Sequence, residues 1–286
     1  MKHEDEMKRA VKIEGRTDSP SDATAARAPS LVARGLKKRF GKRIVLAGVD
    51  LEVAPGLVTA LLGENGQGKT TLMKLALGVL AADGGTIRVA GFDPLKQPRP
   101  LREQVGFVPA QPDAYGWMTV RDLFRFLAPQ YPTWDRAYAD ALVQQLRIPE
   151  KTSFKAMSRG EGMKAMLAAA LAPRPPLLLL DEPFAGLDPL VREEVLRGVI
   201  GELRGGERTV LLATHDLDVV ARVADRVAIL ADGRIRAHGT LEEVLGGAST
   251  GEDAAGSAPA KLRDALESAR RETREKRESR EAEVAS

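Results

Sequence analysis

Leu57-Val58-Thr59-Ala60-Leu61-Leu62-Gly63-Glu64-Asn65-Gly66-Gln67-Gly68-Lys69-Thr70-Thr71 runs from a compact apolar segment into a glycine-rich loop, and apolar positions at helical spacing then continue to Leu80. An apolar run closed by glycine and followed by a helical period is the pattern of a buried strand, a turn and a helix. Residues 63–70 match G-x-x-x-x-G-K-[ST], with an additional glycine at 66. Glycines let consecutive backbone N–H groups turn inward on phosphate oxygens with no Cβ in the way. The helix beginning near Gly68 adds the positive end of its dipole. In such a loop Lys69 reaches the β- and γ-phosphates and Thr70 holds Mg²⁺. The stretch predicts a nucleotide site formed by Gly63, Glu64, Asn65, Gly66, Gln67, Gly68, Lys69, Thr70 and Thr71.

Outward from this loop the same texture recurs. Val105–Val108, Leu177–Leu180, Val210–Ala213 and Val227–Leu230 are short apolar runs bounded by Gly, Pro or charged residues. Runs of that kind suit buried central strands of a mostly parallel sheet, and the helical patterns after several of them predict α/β layering. Thr119 to about Lys164 lacks them and reads as helices interrupted at Pro129, Pro132 and Pro149, a helical insertion. Residues 1–30 have no hydrophobic period and read as a disordered tail. Gly246–Pro259 is a Gly/Ala/Ser-rich linker. From Lys261 both charge signs are dense, with pairs such as Glu267/Arg271, Glu272/Lys276 and Arg277/Glu281 at the spacing of a solvated helix.

Composition removes whole classes of chemistry. None of the 286 residues is cysteine, which excludes disulfides, Cys-ligated zinc, iron–sulfur clusters and thiol nucleophiles. The net charge is only +3, from 43 basic and 40 acidic side chains, and 4% of residues are aromatic. That is a poor electrostatic and stacking surface for nucleic acid, and none is expected as a partner. No window approaches 18 consecutive apolar residues, the length that spans a bilayer, so no direct membrane insertion is expected. The first thirty residues contain no apolar core like that of a signal peptide. The expected location is cytoplasmic.

Two further segments carry polar chemistry at strand ends. Leu177–Leu180 delivers Asp181 and Glu182; in phosphoryl transfer the first acid belongs near Mg²⁺ and the second orients water for in-line attack. Leu211-Leu212-Ala213-Thr214 likewise delivers His215, a candidate sensor of the γ-phosphate.

The order phosphate loop, Ser158-Arg159-Gly160-Glu161, Leu180-Asp181-Glu182-Pro183, Ala185-Gly186-Leu187-Asp188 and His215 resembles the ATP-binding subunit of ABC transporters. The likeness covers roughly residues 31–245, and Ser158 precedes Asp181 by the spacing the family uses between its signature motif and its Walker B acid. It implies a P-loop NTPase core with a mostly parallel sheet, an N-terminal antiparallel β part and a helical insertion at about 112–164. The cofactors implied are ATP and Mg²⁺. Phe40 matches the aromatic position that stacks on adenine. Thr70 and Asp181 would hold Mg²⁺, Glu182 would polarise water, and Lys69 and His215 would act on the triphosphate. Ser158 and Gly160 would cap the γ-phosphate bound by an opposite subunit, and Asp188 would cross between subunits. Two features depart from the family. Ala110 stands where a glutamine follows the Gly106-Phe107-Val108-Pro109 run, so either the loop shifts to bring Gln111 to the metal or that contact is missing. Arg159 and Glu161 replace glycine and glutamine of the common signature; a carboxylate there repels a triphosphate unless it points away or pairs, Arg159 being one partner.

The resemblance predicts an ATPase that dimerises on ATP and drives a separate multi-span permease, exporter-like, from the inner face of the membrane. Docking contacts are expected between Phe107 and Tyr131, with Tyr115, Trp117 and Met118 as candidate anchors against ordinary packing of the helical insertion. A soluble ABC-type ATPase of an assembly machine is the alternative. An unrelated P-loop kinase or GTPase predicts no Ser-x-Gly signature, and no guanine-reading Asn-Lys-x-Asp is present.

Overall fold

The computed structural model describes residues 28–203, 208–245, 258–269 and 271. Most of the N-terminal tail and the Gly/Ala/Ser-rich linker lie outside the described residues, as do Glu272, Lys276, Arg277 and Glu281. The tail ends earlier than residue 30, because Ser30 N–H donates to the Val53 carbonyl at 2.8 Å and its hydroxyl lies 2.9 Å from that of Thr209.

Two sheets are stacked. Strands β1 (Leu31–Phe40), β2 (Arg43–Val53) and β4 (Gly84–Val89) form an antiparallel sheet in the order β2-β1-β4. The larger sheet is ordered β5-β6-β7-β3-β8-β9, from β5 (Val105–Val108), β6 (Leu177–Asp181), β7 (Thr209–Thr214), β3 (Val58–Leu62), β8 (Arg226–Ala231) and β9 (Arg234–Thr240). Its strands run parallel except β9, which returns antiparallel on β8. Every residue of β3, β6 and β7 is buried, as strands covered on both faces require. The five apolar runs of the sequence are therefore β3 and β5 to β8.

Helix α1 (Lys69–Ala76) follows β3 directly. It stops short of Leu80 because Gly78 turns the chain at φ +70°, tight enough that a Cβ there would lie 2.4 Å from the Pro94 carbonyl oxygen. Helix α2 (Pro98–Gln104) leads into β5, and between β5 and β6 come α3 (Val120–Leu127), α4 (Arg136–Gln145) and α5 (Arg159–Leu171). Thr119 starts α3 and Ser158 starts α5 through reciprocal capping boxes with Asp122 and Glu161, each of which satisfies otherwise orphaned N–H groups. Helix α5 continues beyond Lys164 to Leu171. Helices α6 (Pro189–Leu203), α7 (Leu217–Val223) and α8 (Leu241–Val244) complete the core.

One apolar cluster, including Leu46, Leu61, Leu72, Met73, Leu179 and Leu230, lies between the sheets around α1. A second, with Leu142, Met163, Leu167, Leu178, Leu212 and Val219, lies beneath the helices on the opposite face. A third corrects the solvated reading of the C-terminal charged segment. The helix over 258–269 buries Leu262 completely, among Leu62, Val220, Val227 and Ile229. Leu262→Ala should therefore destabilise the chain by about 2–5 kcal/mol, the range for a large-to-small change in a core. Urea unfolding would measure it, and a loss under ~0.5 kcal/mol would mean that this helix is not part of the folded unit.

Candidate functional site

The buried strand β3 ends at Gly63, where no side chain fits: a Cβ would stand 2.6 Å from the Leu230 carbonyl oxygen. The loop then curls over the start of α1, with Gly68 at φ +105° and space for a Cβ denied by Leu46 Cδ2 at 2.8 Å. That left-handed geometry is open to glycine and strained for other residues. Lys69, buried to 5% exposure, donates from Nζ to the Gly63 and Glu64 carbonyls at 2.5 and 3.1 Å and pairs with Glu182 Oε1 at 3.0 Å.

Strand β6 delivers Asp181, 1% exposed, beside Thr70. Burial pushes the Asp181 carboxyl above its usual range, opposed by the bond from the Thr70 hydroxyl and by the Lys69 charge. Its Oδ1 is buried with no hydrogen-bond partner. An orphaned, desolvated carboxylate oxygen next to a hydroxyl is a fitting donor pair for a hard cation, and Mg²⁺ takes few protein ligands, leaving the rest of its shell to phosphate and water. Among the described residues no group of three or more His or acidic side chains converges to hold a metal.

Glu182 adopts φ +46°, a left-handed conformation that costs about 1–2 kcal/mol for an L-residue. Its N–H is fastened to the Ala213 carbonyl at 2.8 Å, which holds the turn against neighbouring β7. The side chain then meets two residues at the end of β7. Thr214 Oγ1 donates to Oε2 at 3.2 Å, and His215 Nδ1 lies 2.9 Å from both carboxylate oxygens. Glu182 is 12% exposed and His215 48%, so the carboxylate is shielded while the ring borders solvent.

A cavity of about 400 Å³ opens above this arrangement. Of the residues singled out in the sequence, Phe40, Glu64, Asn65, Gly66, Gly68, Lys69, Thr70, Thr71 and Glu182 line it. Gly63, Gln67, Asp181 and His215 do not line it. Gln67 points away, its side-chain oxygen accepting from Asp232 N–H at 2.7 Å, which ties the loop to the β8–β9 turn. Phe40, 48% exposed, stands at the rim. Arg43 and Val45 also line the cavity and were missed. Phe40 and Arg43 are paired across the β1–β2 turn, so the short Phe40-Gly41-Lys42-Arg43 hairpin carried the signal that Arg43 returns beside Phe40. Arg43 Nη2 donates to the Gly66 carbonyl at 3.3 Å. Thr214 was likewise passed over for His215, although a buried hydroxyl in an apolar strand invites the question of what it binds.

Ser158, Gly160, Asp188 and Gln111 do not line this cavity. Ser158 and Gly160 open α5, with Gly160 packed so closely on α6 that a Cβ would meet Val191 Cγ1 at 2.4 Å. Asp188 accepts from Leu190 N–H at 2.9 Å at the start of α6. Gln111 is exposed. The suggested Glu161–Arg159 pair is corrected. Glu161 instead accepts from the Ser158 N–H and hydroxyl, both at 2.8 Å, and these bonds, the backbone one foremost, hold its carboxyl below the usual range. Arg159 donates to the Ala110 carbonyl at 3.1 Å.

A larger groove of about 910 Å³ runs between α2 and α3, lined by Phe107, Tyr115, Trp117, Phe126 and Tyr131 among others. Tyr115 and Trp117 stack at 6.0 Å and are 71% and 72% exposed. Met118, by contrast, is only 7% exposed; it belongs to the packing of the helical region and is not a free anchor. Among the described residues no helix is long and apolar enough to cross a membrane.

Comparison with known proteins agrees with this geometry. A family model described as ABC transporter matches residues 46–185. The chain is 32% identical over 211 residues to the ABC transporter ATP-binding protein YtrB of Bacillus subtilis, covering 74% of this chain and 72% of that protein. It is 36% identical over 229 residues to the daunorubicin resistance ATP-binding protein DrrA3 of Streptomyces coeruleorubidus, covering 78% and 72%. A solved structure of the ATP-binding subunit of an ABC transporter superposes with a TM-score of 0.70 at 28% identity, over 80% of this chain and 99% of that one.

Proposed function

This chain belongs to the ATP-binding proteins of the ABC transporter family, and from that premise we propose that it hydrolyses ATP with Mg²⁺ to drive a separate multi-span permease. The observation that carries the reading is the placement of Glu182, held by Lys69, Thr214 and His215 at the wall of the phosphate-loop cavity. A carboxylate so oriented can accept a proton from water attacking the γ-phosphate, while His215 steadies it and meets the developing charge. Thr70 and Asp181 would hold Mg²⁺, which when bound neutralises the triphosphate. Loop N–H groups and Lys69 bind the phosphates, and Phe40 offers a face to adenine.

The signature residues Ser158 and Gly160 lie away from the chain's own phosphate loop, and Asp188 with them. A second copy, or a second ATP-binding subunit of the same kind, would bring its own signature to this cavity, so each site is completed by the partner and ATP closes the dimer. The permease would dock in the groove below Tyr115 and Trp117, exposed aromatics of the type that dominate interface energies. The protein would then sit at the cytoplasmic face of the membrane without entering it. Direction is left to the permease, since a drug-resistance protein and a sulfate/thiosulfate import protein are both relatives of this chain. The region 31–245 would be the ATPase domain, with the helical insertion as its docking part.

The test is a membrane pull-down with tagged Glu182→Gln in Mg-ATP, identifying co-purified proteins by mass spectrometry. A stoichiometric multi-span protein is expected. A reproducible set of soluble partners with no membrane protein would replace this reading with that of an assembly ATPase.

A further inference from the structure

Two of the residues that depart from the family pattern, Ala110 and Arg159, touch each other. Arg159 Nη2 donates to the Ala110 carbonyl at 3.1 Å, across 49 positions of sequence. The other end of the same guanidinium lies against the turn after Glu182: Nη1 is 2.9 Å from where a Cβ on Gly186 would stand, and Gly186 is at φ +67°. That turn is itself fastened to the candidate catalytic residue, because Ala185 N–H donates to the Glu182 carbonyl at 3.1 Å. The first turn of α5 is wedged between the loop after Ala110 and the start of α6, the helix that follows the Gly186 turn. A Cβ on Gly162 would meet Pro112 Cγ at 2.7 Å on one side, and one on Gly160 would meet Val191 at 2.4 Å on the other. Small residues let the loop and α6 approach α5, and Arg159 reaches from the Ala110 carbonyl to the Gly186 turn that precedes α6.

We propose that Arg159 is a positioning residue that couples the Ala110–Trp117 loop to the Ala185–Asp188 turn and so to Glu182. This rests on the reading of Glu182 as the residue that activates water and of the 110–117 loop as part of the docking face. A forked guanidinium can do what other side chains cannot here: Nη2 donates to a carbonyl while Nη1 lies against a glycine. A side chain at residue 110 ending in a methyl has no polar contact to offer, whereas the backbone carbonyl keeps the link independent of what residue 110 is. Displacing the docking loop would then pull on the Ala110 carbonyl, shift the guanidinium and change how tightly the Gly186 turn holds Glu182.

The full chain is tested as Arg159→Ala and Arg159→Lys. For Arg159→Ala the expected result is ATP affinity within about twofold of wild type and kcat lowered about tenfold, the scale of one lost hydrogen bond from a charged donor. Lysine keeps a donor for Ala110 but has no second nitrogen to lie against Gly186, so partial recovery of kcat is expected. Hydrogen exchange gives a readout that needs no turnover: Arg159→Ala should speed exchange both in residues 110–117 and in residues 184–188. In a double-mutant cycle Gly186→Ala should cost kcat less when Arg159 is already alanine, because the guanidinium no longer obstructs the new Cβ. Unchanged exchange in residues 184–188, additive effects in the cycle, or full activity of the lysine variant would each overturn the bridge. An inactive wild-type chain would instead count against ATP hydrolysis itself, and the exchange measurement would still decide the coupling.

Discussion

Glu182→Gln is expected to lower kcat by about 10²–10⁴-fold, the usual contribution of a positioned general base, without weakening ATP binding. The sign of the binding effect follows from the contacts of Lys69. The side chain is 5% exposed, and its ammonium is shared between two loop carbonyls and the Glu182 carboxylate at 3.0 Å. An incoming phosphate therefore competes with Glu182 for the same charge. Glutamine keeps the shape and an oxygen that can accept from Lys69 and Thr214, but it removes the negative charge. ATP should bind the variant as tightly as wild type or a few-fold tighter, and the uncleaved nucleotide should hold two copies together. Steady-state ATPase assays, titration with a fluorescent ATP analogue and size-exclusion chromatography in Mg-ATP read these three quantities. Turnover within threefold of wild type would remove Glu182 from the chemistry and leave His215 as the next group to examine.

The positions of Glu182 and His215 at the ends of buried strands follow from a pattern visible in the sequence. Strands buried on both faces need apolar side chains at every position, so β3 and β5 to β8 stand out as uninterrupted runs, and the polar residues at their ends stand out as exceptions. The phosphate loop, Asp181, Glu182 and His215 were legible for that reason. The antiparallel strands were not legible from pattern alone. β1 alternates buried and exposed positions and is broken by register shifts, one of them beside Gly35, and β9 reads Arg-Ile-Arg-Ala-His-Gly-Thr with only Gly239 buried. The N-terminal antiparallel part was expected from the family resemblance alone, and β9 was not anticipated.

The C-terminal helix was misread for a related reason. Leu262 and Ala269 belong to the third cluster, with Ala265 and Leu266 packed against it, and Ala258 is also buried. That is a helical stripe made mostly of alanines and set among charges, so the charges dominated the reading. Arg43 and Arg159 mark a different limit. Arg43 is placed by a hairpin that folds it beside Phe40, and Arg159 by the packing of α5 between the loop after Ala110 and the start of α6, which are distant in sequence. Both long side chains act through backbone carbonyls, and a backbone partner leaves no mark on the residue types that flank it. Glu161 is the converse case. Beside a triphosphate it reads as a liability, but three residues after Ser158 it is the acceptor of a capping box, and the local helix rule decides its orientation.

Lys69→Ala is expected to abolish useful ATP binding, with affinity reduced about 10- to 100-fold, since a hydrogen bond from a charged donor contributes roughly 1.5–3 kcal/mol. The loss should be larger for ATP than for ADP, and smallest for AMP, because a side chain rooted at the first turn of α1 and reaching the β- and γ-phosphates has least to offer a shorter chain of phosphates. Phe40, the remaining loop N–H groups and Thr70 stay in place, so residual binding should be carried by adenine and the inner phosphate. The variant also leaves Glu182 without its cationic partner while Thr214 and His215 remain, and the carboxylate then faces the triphosphate with no intervening charge. That repulsion adds to the lost attraction. The double variant Lys69→Ala/Glu182→Gln accordingly should bind ATP better than Lys69→Ala alone, a reversal that a merely misfolded loop would not produce. Titration of the three variants with fluorescent ATP and ADP analogues separates the cases. Equal losses for both nucleotides, or no recovery in the double variant, would mean that Lys69 holds the loop together rather than the phosphates.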